Sequence, residues 1–147
     1  MSRHSDVGAG RSRNDLRKQR GRAGEKLACR FLEHSGYTII ETNHRSRYGE
    51  IDIIARRERI LAFIEVKTRL GRRYGEPFEA VGTRKQNQIR RMASMWLAAS
   101  QGDTALRECE FRFDVISVKL SELESQGNPS SAVDSFPGIA HMKDAFR

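Results

Sequence analysis

Three residues in the stretch GEIDIIARRERILAFIEVKTR, residues 49 to 69, interrupt apolar runs with groups that can hold a hard cation and steady an anion: Asp52, Glu65 and Lys67. If the hairpin turns between Glu58 and Arg59, cross-strand partners sum to 117, so Asp52 faces Glu65 and Glu50 faces Lys67. Directly opposed residues share a face, and the two-residue period puts Glu65 and Lys67 on one side. Glu50 opposite Lys67 makes an ordinary ion pair. Two carboxylates facing each other on a largely buried hairpin repel unless one is protonated or a cation lies between them. Mg²⁺ (or Mn²⁺) meets that need, since it prefers a few carboxylates plus water and phosphate oxygens. The bland alternative is a solvated or ion-paired strand end. A register slip of one residue would separate Asp52 from Glu65 altogether.

The flanking chain supplies elements to position this hairpin. Residues 14 to 34 carry Leu27, Ala28, Phe31 and Leu32 at helical spacing, with Gly36 beyond the end. A short strand over 37 to 45 precedes the hairpin, whose nearly continuous Ile, Leu, Phe and Val runs predict a central pair covered on both faces. Residues 70 to 82 are Gly-rich and basic and read as a loop. A second helix follows from Thr83 to Ser100, with Ile89, Met92, Ala93, Trp96 and Leu97 as its apolar stripe. The segment 109 to 120 reads as a last strand. The expected organisation is a disordered basic tail over 1–13, one domain over 14–120, a flexible insertion over 121–135 and a docking segment over 136–147. The order is helix, three strands, helix, strand, an α/β fold with a central mixed sheet flanked by helices.

Composition limits the function classes. The chain has 147 residues, enough for one domain with a real core. Lys and Arg number 27 against 19 Asp and Glu, a formal charge of +8, which favours a polyanionic partner. Residues 67 to 91 hold eight cations against two acids, and residues 1 to 30 hold nine against three. Such clusters suit phosphate contacts that weaken with salt, although a single charge run is often just a solvated face. Tyr48 and Tyr74 are candidates for stacking on bases at the rim, with packing as the alternative. No stretch approaches the roughly 18 to 20 apolar residues of a membrane helix, and the N-terminus lacks an apolar signal core, which points to the cytoplasm. Cys29 and Cys109 lack paired spacing, and the four histidines lack ligand spacing, so reduced buried thiols are expected and a zinc site is not.

Asp52 followed thirteen positions later by Glu65-Val66-Lys67 resembles the D…(D/E)-x-K signature of the PD-(D/E)XK nuclease superfamily, which includes restriction endonucleases and archaeal Holliday-junction resolvases. The stretches GEKLACRFLEHSGYTIIETN, GEIDIIA, FIEVKTR, GEPFEAV and FRFDVISV, with Lys85 and the terminal MKDAF, together resemble the YraN-like family of small bacterial proteins. Ile51 stands where the superfamily pattern has proline. The resemblance implies a restriction endonuclease-like fold and Mg²⁺-dependent hydrolysis of phosphodiesters. It makes Asp52 and Glu65 metal ligands, Lys67 the third motif residue, and Glu25 an added acid of the kind resolvase-like members carry. Glu25 reads equally as a surface helix acid beside Lys26. Lys85 and Gln86, at the start of the second helix, with Arg69, Arg72, Arg73 and Arg84, are the candidate contacts to nucleic acid, with DNA placed ahead of RNA and branched or structured DNA in view. No membrane partner is expected, and two-fold substrates would suit a homodimer. Two other classes stay open. A non-catalytic nucleic-acid-binding protein on the same fold would bind without metal, and a scaffold protein would use the acids only as a buried ion-pair network.

Overall fold

The computed structural model describes residues 10, 12–70, 81–120, 136 and 138–147. Residues 71–80 of the expected 70–82 loop, the expected insertion at 121–135 and all but residues 10, 12 and 13 of the expected tail lie outside that range. Helix α1, Arg13–His34, begins one residue inside the expected tail, because Ser12 caps it: the Ser12 hydroxyl accepts from the Asp15 amide, and Asp15 accepts from the Ser12 amide. Its buried positions Gly24, Ala28 and Leu32 recur every four residues, one stripe of the helix.

Strands β1 (Thr38–Ser46), β2 (Gly49–Arg57) and β3 (Ile60–Arg69) form an antiparallel meander. Helix α2, Thr83–Ala99, carries the chain across to β4, Glu110–Lys119, which pairs parallel to β3 from Ile60↔Glu110 to Arg69↔Lys119. The one-turn helix α3, Thr104–Arg107, and the final strand β5, Ile139–Phe146, are additions to the expected order. The sheet order is β1-β2-β3-β4-β5, with β5 antiparallel to β4. It is a mixed sheet flanked by helices, and the hairpin is central to it.

Each face of the sheet has its own core. Ala28 and Leu32 of α1 pack with Ile53, Ala55, Ala62, Ile64, Ile116 and Val118. Ile89, Met92, Ala93 and Trp96 of α2 pack with Ile54, Leu61, Phe63, Val115 and Phe146 on the other side. Both faces are therefore dry, which is why the strand sequences run continuously apolar. Trp96 is core, as its stripe predicts, and its ring nitrogen donates to Glu41 at 2.7 Å.

Asp114 is fully buried on β4 and is satisfied by four donors. Arg112 approaches at 2.8 and 2.9 Å, His141 of β5 at 2.8 Å and the Asp144 amide at 3.0 Å. Arg112 also donates to the Tyr37 hydroxyl. This network ties the closing strand to the sheet.

Candidate functional site

The hairpin register is the expected one from Arg57↔Ile60 through Ile53↔Ile64, every pair summing to 117. Beyond Ile53 the pairing of β2 with β3 ends. The start of β2 stays with β1, through His44↔Ile51 and Arg45↔Glu50, while the end of β3 stays with β4, through Lys67↔Ser117. The two strands fork, and the expected facing pairs Asp52–Glu65 and Glu50–Lys67 do not form as ladder pairs. Competition decides this, since each strand stays paired with its outer neighbour and cannot also follow the other once they diverge.

The alternation of β2 breaks at the same place. Ile51 belongs to the α2-side core and Ile53 to the α1-side core, although they are two residues apart. Across on β1, Asn43 takes a φ of +52°. The break turns Asp52 into the fork, where its carboxylate accepts from the Val66 amide at 2.7 Å. Asp52 thereby closes a backbone donor that the fork would otherwise leave open.

Three carboxylates converge on this point. Glu25 of α1, Glu50 and Asp52 each offer an oxygen, and these oxygens lie within 4.8 Å of one another. Glu50 pairs with Arg45 at 3.5 Å rather than with Lys67. Glu50 is the member of the cluster that sequence reasoning missed, because the hairpin register assigned it to an ion pair with Lys67. Glu65 lies beside them and is bridged by Lys85 of α2 at 3.7 Å. Burial, followed by the negative charge of Glu65, pushes Asp52 up to about 8, and the Val66 amide only partly offsets this. Burial likewise raises Glu25 above the usual carboxylate range.

Two glycines permit this geometry. Gly24 packs α1 directly on β3, where a Cβ would overlap the Thr68 hydroxyl, so its neighbour Glu25 reaches the fork. Gly49 has a φ of +142°, and a side chain there would collide with Gln88, whose amide donates to the Tyr48 carbonyl.

The other candidates divide. Lys67 is half-buried on β3, two residues from Glu65, on the Phe63 face toward α2. Lys85 reaches the site, but the Gln86 side chain is engaged elsewhere: its amide nitrogen donates to the Val81 carbonyl and its oxygen accepts from Arg90. Arg84 is exposed at that start, and Arg69 is half-buried at the end of β3. Arg72, Arg73 and Tyr74 lie outside the described residues. Tyr48 is half-buried with Arg91 over its ring at 3.7 Å, so it packs rather than offering a free face. Cys109 is buried and Cys29 half-buried, both free thiols, and no histidine joins the carboxylate cluster among the described residues.

The family model described as "Uncharacterised protein family UPF0102" matches residues 24–118, which hold all the acids of the fork. A UPF0102 protein of Chlorobium chlorochromatii is 42% identical over 126 residues, 86% of this chain and 89% of the relative. One of Nocardia farcinica is 48% identical over 101 residues, 69% of this chain and 76% of the relative. A third, of Symbiobacterium thermophilum, is 50% identical over 99 residues, 67% and 80% of the two chains. Matches of this length and identity place the chain in UPF0102, the YraN-like family of small bacterial proteins.

Proposed function

We propose that the protein is a metal-dependent nuclease hydrolysing phosphodiester bonds of nucleic acid, on a restriction endonuclease-like fold. The observation that carries this reading is the convergence of Glu25, Glu50 and Asp52 at the fork of two central strands, with Glu65 adjacent and paired with Lys85. The resemblance of Asp52 and Glu65-Val66-Lys67 to the PD-(D/E)XK signature supports it, as does the sequence α-β-β-β-α-β at the heart of the fold.

The donor set fits Mg²⁺ or Mn²⁺. All the available atoms are hard carboxylate oxygens, and the site is short of positive charge, since Asp52 retains a proton to about pH 8 when nothing else neutralises it. Glu25, Glu50 and Asp52 would hold the ion, with Glu65 next to them. When bound, such an ion polarises a phosphate oxygen and acidifies a water. Lys67 would orient that water or offset charge developing on the phosphate, and Lys85, held over Glu65, would pair with the phosphate as it arrives. Among the described residues no helix is long and apolar enough to cross a membrane. We place the activity in the cytoplasm, on DNA ahead of RNA.

Calorimetry with Mg²⁺ and Mn²⁺ tests this on the wild type and on Asp52→Asn with Glu65→Gln, followed by cleavage assays on branched and single-stranded DNA and RNA. Saturable binding lost in the double variant, together with metal-dependent cleavage, is the expected result. A well-folded wild type that ignores both ions would leave a non-catalytic binding module instead.

A further inference from the structure

A cleft of about 780 Å³ runs between α1 and β1 and opens onto the acidic cluster, since Glu25 and Glu50 are among its lining residues. Lys18, Arg22, Lys26 and Arg30 line it from the helix side. They recur every fourth residue, and all four are exposed. Four residues of helix rise about 6 Å, so the cations form an inclined ridge with a repeat close to the separation of successive phosphates in an extended strand. Arg45 closes the opposite wall from β1, with its side chain 73% exposed.

We propose that this cleft is the track of a single nucleic acid strand, with the ridge holding phosphates on both sides of the acidic cluster. Glu25 falls between the second and third cations of the ridge, so two phosphate contacts lie on each side of it. A strand seated this way passes through the site instead of ending in it, which makes the phosphate at the cluster an internal one. Among the described residues no aromatic side chain lines the cleft. Recognition is therefore of the backbone, indifferent to base sequence. The track lies on the α1 side, apart from the contacts expected at the start of α2. What happens at the cluster rests on the nuclease reading, whereas the track does not require catalysis.

The test is binding in EDTA, where no cleavage is needed. A fluorescent single-stranded DNA is titrated with full-length protein over a series of salt concentrations, for wild type and for the variant Lys18→Gln, Arg22→Gln, Lys26→Gln, Arg30→Gln. Each lost phosphate contact lowers the slope of log affinity against log salt by about 0.7, so the slope should shrink by about 3 in the variant. A control with Arg56→Gln, Arg59→Gln, Arg107→Gln and Lys143→Gln, which neutralises as many charges away from the cleft, should keep most of the wild-type slope. A closed circular single strand should bind as tightly as a linear one. Equal slopes for the two variants, no binding at low salt, or rejection of the circle would each overturn the track. Failure of the wild type to bind Mg²⁺ or Mn²⁺ in the separate calorimetric test would instead overturn the nuclease reading.

Discussion

At the residue scale, Asp52 carries opposing demands. Its carboxylate satisfies the Val66 amide, while burial and neighbouring acids raise its proton affinity. An acid raised from 3.8 to about 8 binds more protons folded than unfolded across that interval, so without divalent cation stability falls as pH rises from about 4 to about 8. Melting temperature followed against pH should decline less steeply in Asp52→Asn than in wild type. Asp114 works in the opposite sense. Burial alone would raise it, but the bonds from His141, Arg112 and the Asp144 amide outweigh burial and hold it below the usual range. Its contribution is present above its unfolded value of 3.8 and is lost as pH falls through the lower folded value. Asp114→Ala leaves Arg112 and His141 facing a buried gap and should cost roughly 3 kcal/mol or more in denaturant unfolding at neutral pH. It should do so whether or not divalent metal is present.

At the element scale, the position of α1 decides whether Glu25 belongs to the cluster. The helix can lie against β3 only because Gly24 has no side chain where Thr68 sits. Gly24→Ala gains helix propensity but forces the helix off the sheet, an overpacking cost of roughly 1–3 kcal/mol. It should also weaken Mg²⁺ binding in calorimetry, because displacing α1 withdraws Glu25. Gly21→Ala, one turn earlier with open space around its Cβ, should stabilise instead and leave metal affinity unchanged.

At the scale of the whole molecule, the cluster draws on α1 and β2, with β3 adding Glu65, so an ion held there bridges the α1 layer and the sheet. Saturating divalent cation should therefore raise global stability by about 2.7 kcal/mol at a hundredfold excess over its dissociation constant. A differential scanning calorimeter would read this as a shift of several degrees, absent in Glu25→Gln. A protein whose acids served only as an ion-pair network would show no shift.

The sequence by itself determined the elements of the central hairpin and its register from the turn as far as Ile53, because apolar runs rich in β-branched and aromatic residues on either side of a Glu58-Arg59 turn have few other ways to be buried. It also determined the helix stripes, since Ala28, Leu32, Ile89, Met92 and Trp96 are spaced for one face each. It pointed to Asp52 and to Glu25 through motif resemblance, but not to how they meet. The tertiary structure decided the fork: where two strands each keep an outer partner, local pattern cannot say which ladder ends first. That divergence moved Glu50 from an ion pair with Lys67 into the carboxylate cluster, and it set Asp52 on the Val66 amide. The burial of Asp114 among donors from β4 and β5, and the alignment of the α1 cations along one cleft beside β1, were likewise decided by packing between residues far apart in the chain.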